Sequence, residues 1–253
     1  MIGQNWTAVL YPAVLEFLIR YRRTVVGPAW LLIGPALFIA LLGELYAHIG
    51  SASASKFIPY LTIGLVTWTF ISGMVTASAT VFQRARSQIL QGGMSLSRIA
   101  AVEVITYVLT FLNQFVIVIA VMIIYGVPVS LYALVSIIGL AIVILNGVWV
   151  MRTVGVLGAR YRDVSEIFQA IMRIAFLATP IMWMPGEGDQ SAVMGKFLLL
   201  NPFYHFIELV RAPLLGYPIS LVTWIITLSI SIAGLLIASA LTSRYNRFVA
   251  LWV

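Results

Sequence analysis

Residues 219–241 read ISLVTWIITLSISIAGLLIASAL, an unbroken stretch without Asp, Glu, Lys or Arg. A helix rises about 1.5 Å per residue, so about 20 such residues cross the roughly 30 Å hydrocarbon layer of a bilayer. The stretch reads as a membrane span, and the rest of the chain follows from it. Of 253 residues 62% are hydrophobic and only 9% charged, with a mean hydropathy of +1.04; soluble domains carry about 25% charged residues. A water-soluble fold is excluded, and there is room for roughly six spans with short connectors.

Working backwards, 186–217 holds Glu187, Asp189, Lys196, Asn201, Pro202, His205, Glu208, Arg211 and Pro213 among apolar residues. These polar groups and prolines make a lipid-facing span costly, so one or two short helices lying in the interface or re-entering it are expected. Span five is expected at about 167–184, closed by Pro185-Gly186, after the polar stop Arg160-Tyr161-Arg162-Asp163 and Glu166. Spans three and four, about 99–124 and 131–151, are joined by the tight turn Gly126-Val127-Pro128 and must be antiparallel neighbours. Spans one and two cover about 28–49, with Pro35 near its start, and 57–81. Ahead of them, 12–24 sets Ala13, Phe17, Leu18 and Tyr21 opposite Glu16, Arg20 and Arg23, with Pro12 suited to a first helical position. That is the pattern of a membrane-surface helix. The expected fold is an all-α integral membrane protein in one domain, 1–253, of six spans, an N-terminal interface helix and a re-entrant segment at 186–217.

The net charge of +7 comes from 15 basic and 8 acidic residues. Eleven arginines fall on one side, in the N-terminal segment, the 82–98 and 152–166 loops and the C-terminus; the other side has Lys56, Lys196 and Arg211. The positive-inside rule then makes both termini and both loops cytoplasmic, and topology rather than nucleic acid accounts for the charge. Met1–Leu10 lacks the basic segment and apolar run of a cleavable signal, so these residues are expected to remain. With no cysteine and two isolated histidines, neither a disulfide framework nor a metal centre is expected.

No phosphate-binding loop is found: the one Gly-Lys pair, Gly195-Lys196, is followed by Phe197. Glu187 and Asp189 read as solvated loop charges. No catalytic residues are expected, and no self-contained ATP hydrolysis.

Four short motifs occur in order. They are Arg20-Tyr21-Arg22-Arg23 with Val26-Gly27-Pro28-Ala29-Trp30; Ala159-Arg160-Tyr161-Arg162-Asp163; Thr179-Pro180-Ile181-Met182-Trp183; and Leu200-Asn201-Pro202-Phe203-Tyr204-His205 with Glu208 and Arg211. Together they resemble the polysaccharide and O-antigen export permeases of the ABC transporters, over residues from about 16 to the C-terminal Arg247–Trp252. The resemblance implies a transport subunit of the bacterial inner membrane that dimerises and works with two copies of a P-loop ATPase. It would move a lipid-linked polysaccharide of the O-antigen type outward; related permeases carry teichoic acid, capsule, lipo-oligosaccharide or drugs. ATP and Mg would be bound by the partner, no cofactor by this chain, and no nucleic acid is involved. A stand-alone channel or secondary transporter is the reading from another class, and a membrane scaffold for a glycosyltransferase a third. The surface helix 12–24 and the loop 83–98, with Arg84, Arg86 and Gln88, would receive the ATPase's motion, as would Arg160, Arg162 and Asp163.

On span five, Phe168, Met172, Phe176, Thr179 and Trp183 fall within about 80° of one another at 100° per residue. Such a stripe either lines the path of a sliding polymer or packs the core or a dimer seam. Arg173, inside this span, either snorkels to the interface or holds a lipid-carrier phosphate with Arg20, Arg22 and Arg23. Glu44 and His48 are spaced to pair across one helical turn, as an interfacial pair or a proton relay. His205, Glu208 and Arg211 sit on a segment whose Phe206, Leu209, Val210 and Leu214 supply an apolar face, an arrangement suited to an outer gate.

Overall fold

The computed structural model describes residues 7–22, 26–49, 54–92, 94–185 and 191–253. Helix α1 (Thr7–Tyr21) leads to α2 (Trp30–Ile49), α3 (Ala54–Ser78), two short helices α4 (Val81–Arg84) and α5 (Arg86–Leu90), then α6 (Leu96–Ile124) and α7 (Val135–Arg160). After these come α8 (Val164–Ala178), α9 (Ser191–Leu200), α10 (Pro202–Leu214) and α11 (Leu221–Trp252). Among the described residues five helices are long and apolar enough to cross a membrane, within 27–45, 55–78, 96–124, 131–160 and 221–252.

Helix α3 is the axis of the bundle. The most apolar window of α3 is 78% buried, against 17% to 33% for the other four. It packs on α2, α6, α7, α8 and α10, and α7 packs in turn on α11 and α10. The outer faces keep Leu37, Leu41, Ile123, Ile137 and Leu236 exposed, as expected where hydrocarbon is the solvent. Serine and threonine hydroxyls on α3, α6 and α11 donate back to carbonyls one turn earlier, as Thr62 does to Ile58, Thr106 to Val102 and Ser231 to Thr227. Such bonds let polar side chains enter an apolar layer without an orphaned hydrogen.

Close helix contact is fixed by small residues and one polar lock. Asn146 on α7 donates to Ser231 Oγ on α11 at 2.6 Å and accepts from Trp149 Nε1 at 2.7 Å. Gly234 makes room for the Trp149 ring, since a Cβ there would meet it at 2.2 Å. Where α4 meets α7, a Cβ on Gly158 would lie 1.8 Å from the Ala79 carbonyl oxygen, and Gln83 Nε2 donates to the Gly158 carbonyl at 2.7 Å.

Several sequence-based boundaries need correction. Span four does not stop at Arg152 but continues two turns to Arg160, and α11 runs on from Leu241 to Trp252. Helix α1 starts at Thr7, so Pro12 lies inside it rather than at its first position. The largest difference is at span five. Helix α8 has 15 residues, about 22 Å of rise, and ends at Ala178 instead of reaching 184. Pro180 is the reason: a residue before proline is pushed out of the helical region, and Thr179 sits at φ −97°, ψ 135°. Thr179 and Trp183 therefore leave the predicted stripe.

The segment after α8 does contain two short helices, but α10 does not lie on a surface. His205 to Leu214 are buried apart from Glu208, packed on α3, α7 and α11. Asn201 starts α10 by accepting from the backbone N–H of Phe203 (3.0 Å) and Tyr204 (3.4 Å), with Pro202 at the first helical position. Its amide donates to the Ala178 carbonyl (3.2 Å) and Thr179 Oγ1 (3.0 Å), tying the end of α8 to the start of α10.

Candidate functional site

An open groove of about 1140 Å³ runs between α2, α3 and α8. Past Leu65 and Trp68, its α3 wall is made of small and hydroxyl residues, Thr69, Ser72, Gly73, Thr76 and Ala77, continued by Thr80 in the turn that follows. A helix with that face leaves room for a ligand while offering hydrogen-bonding oxygens. The α8 wall carries Ser165, Gln169, Met172, Arg173 and Phe176, spaced to fall on one side of a helix, and α2 adds Gly34, Pro35 and Phe38.

Two guanidinium groups line the groove: Arg84, at the end of the bundle where α3, α7 and α11 finish among arginines, and Arg173, further along α8 and three residues before Phe176. Arg84 Nη2 pairs with Glu103 Oε1 at 2.8 Å, the carboxylate being buried on α6. Arg173 is exposed and makes no ion pair or hydrogen bond with a described residue. Aromatic rings stand about one helical turn from Arg173: Trp68 lies 5.7 Å from Phe176 and 5.5 Å, edge-on, from Phe203 of α10.

Beyond those rings lies a buried polar knot. Arg211, 1% exposed, donates from Nη1 to the Pro180 carbonyl at 2.7 Å and pairs with Glu208 through Nε at 2.8 Å and through Nη2. Its guanidinium lies 3.7 Å from the centroid of the Tyr60 ring, and the Tyr60 hydroxyl also donates to Pro180 O, at 3.0 Å. His205 is held between Thr223 Oγ1 (3.0 Å) and the Leu199 carbonyl (3.1 Å). Each donor and acceptor that can be buried here has a partner, the condition for charge to sit in an apolar interior.

The sequence profile of the ABC-2 type transporter family matches residues 13–215. The chain belongs to this family. No curated protein matches its sequence. It is thus the permease subunit of an ABC transporter, in a family that generally works with a partner ATPase.

The residues singled out from the sequence are distributed over this permease as follows. Of the span-five stripe, Met172 and Phe176 line the groove, whereas Phe168 packs against the core, Thr179 is buried with its hydroxyl on the Ala175 carbonyl, and Trp183 is half-buried past the helix end. Arg173 lines the groove, but the cation it shares it with is Arg84. Arg20 instead pairs with Glu16 at 3.5 Å, Arg22 is exposed, and Arg23 lies outside the described residues. Arg86 and Gln88 are exposed on α5; Arg162 and Asp163 are exposed in the turn before α8. Arg160 lies over the Trp252 ring. His205, Glu208 and Arg211 come together with Tyr60 and Pro180. The side chain of His48, and Glu187 and Asp189, lie outside the described residues.

Sequence reasoning missed Glu103, Gln169, Trp68 and Tyr60, and it placed Asn201 in a motif without giving it a role. Glu103 had a usable signal, a carboxylate seven residues into an otherwise apolar helix, which is costly unless paired. The ring of Trp68 and the phenol of Tyr60 carried none, because an aromatic residue in a span is ordinary until its neighbours are known.

Proposed function

We propose that this permease is the membrane half of an ATP-driven exporter of a lipid-linked polysaccharide of the O-antigen type, working as a homodimer with two P-loop ATPase subunits that bind ATP and Mg. The observation that carries the reading is the groove, whose lining combines two arginines, Arg84 and Arg173, with aromatic rings. A lipid-linked glycan has a matching character: a phosphate that guanidinium forks can hold, and sugar rings whose apolar faces stack on Phe176, which the buried Trp68 ring backs. Stacking tolerates sliding because it fixes no single hydrogen-bond register.

The arginine-bearing end faces the cytoplasm of a bacterial inner membrane, and α4, α5 and the 161–163 turn receive the ATPase's motion there. Gln83 and Gly158 pass that motion to α7 by their direct bond. Opposite the groove, α8 presents Ile167, Ile171 and Ile174, 44% to 69% exposed, and this face is the seam to the second copy. Segment 202–214 with its Arg211 knot forms the outer closure. Since α10 is core, deleting it would unfold the chain rather than open a gate.

The test is ATP-dependent movement of a lipid-linked glycan in vesicles holding the permease and its co-purified ATPase. Phe176→Ala should lower transport about fivefold, the scale of one lost aromatic contact, while the ATPase stays bound. Transport without the ATPase, or undiminished in Phe176→Ala, overturns the reading.

A further inference from the structure

At the arginine-bearing end, away from the groove, α7 and α11 enclose a second pocket of about 440 Å³. Its depth in the membrane follows from length. Helix α11 has 32 residues, about 48 Å of rise, while the hydrocarbon layer takes roughly 30 Å. With the uncharged 219–241 stretch in hydrocarbon, 242–252 project through the headgroup layer, and the pocket lies between this projection and the last turns of α7.

The walls are apolar and aromatic, Leu157, Tyr245, Phe248 and Trp252 among them, around one guanidinium, that of Arg160. Among the described residues this charge is held by ring faces, 5.0 Å from the Trp252 centroid and 5.8 Å from that of Tyr161. Among the described residues no carboxylate forms an ion pair with it, Asp163 and Glu166 nearby in sequence included. Arg244, over the Tyr245 ring at 5.7 Å, adds positive charge on the same helix end. Toward the membrane centre the surface stays apolar: Ile237, one turn before Leu241 on the same face of α11, is 51% exposed.

We propose that this pocket binds an anionic phospholipid, its phosphate on Arg160 and an acyl chain along Leu157 and Ile237. A stacked guanidinium without a carboxylate is a phosphate receptor that needs no rearrangement. The apolar walls and their continuity with the lipid-facing surface require an occupant that is anionic at one end and hydrocarbon at the other. A free anion leaves those walls empty, and the site owes nothing to the exported substrate.

Native mass spectrometry of the delipidated full-length chain, titrated with phosphatidylglycerol or phosphatidylcholine, tests it. Wild type should retain phosphatidylglycerol in preference. Arg160→Gln should weaken that binding about fivefold, the value of one basic residue against an anionic lipid. Phe248→Ser, which keeps the charge, should weaken both lipids, and Arg162→Gln, outside the pocket, neither. Equal phosphatidylglycerol binding by wild type, Arg160→Gln and Phe248→Ser overturns the proposal. So does displacement by millimolar inorganic phosphate, which would mark a free-anion site, or loss of the co-purified ATPase from Arg160→Gln with its lipid titration unchanged, which would mark a protein contact.

Discussion

Two arginines in the apolar part of this permease are treated in opposite ways. Arg211 is sealed, with Glu208, the Pro180 carbonyl and the Tyr60 ring taking up its donors and its charge. Arg173 stands exposed in the groove with no partner among the described residues. The same side chain is in one place part of the architecture and in the other free for something that arrives. Position in an apolar stretch does not tell the two apart; satisfied hydrogen bonds do. The difference also divides the molecule, into a packed polar core around α10 and an open groove along α8.

If that division is right, substitutions should separate by stability. Arg211→Leu leaves the Glu208 carboxylate uncompensated and Pro180 without one of its donors, and should destabilise the fold by about 3 kcal/mol. Heating the detergent-solubilised protein before size-exclusion chromatography would show it as early loss of the monodisperse peak. The double change with Glu208→Leu should recover part of the loss, and a single variant as stable as wild type would break the comparison. Gly158→Ala comes next: its Cβ would meet a backbone oxygen at 1.8 Å, which a rotamer change cannot relieve. A cost of about 2 kcal/mol, with weaker stimulation of the partner ATPase, is expected in a combined melting and hydrolysis measurement. Asn146→Leu breaks the α7–α11 lock and should cost about 1 kcal/mol, since polar contacts between membrane helices are individually modest. Arg173→Ala is the opposite pole: stability should stay within about 0.5 kcal/mol of wild type while vesicle transport falls. A variant that melts early would move Arg173 to the architectural side.

Particular residues show how far the chain could be read unaided. Five spans, expected at about 28–49, 57–81, 99–124, 131–151 and 219–241, were legible because each is a run long enough to cross a bilayer, although two of the helices continue well past those bounds. The turn at Gly126, where φ is 62°, was legible because Gly-Val-Pro leaves a helix no way to continue. Span five was misjudged at its end. Hydropathy continues smoothly through Thr179–Trp183, and only the steric effect of Pro180 together with the Asn201 bonds stops the helix at Ala178. Likewise 202–214 looked like a surface segment because it carries His205, Glu208 and Arg211. Their partners lie on α3, on α11 and in the turn after α8, and pairing turns a polar segment into core.

Composition and spacing by themselves determined a multi-span helical membrane protein, the placement of its arginines and the want of a nucleotide-binding loop. These are additive properties of short stretches, and hydrophobic transfer acts on each helix separately. Which arginine is locked and which is open, which face of α8 meets the groove, and how Glu103 reaches Arg84 were decided only by the tertiary structure. Each depends on groups between 19 and 31 residues apart in the chain or on separate helices, and a buried polar group is stable or costly according to partners that no local window contains.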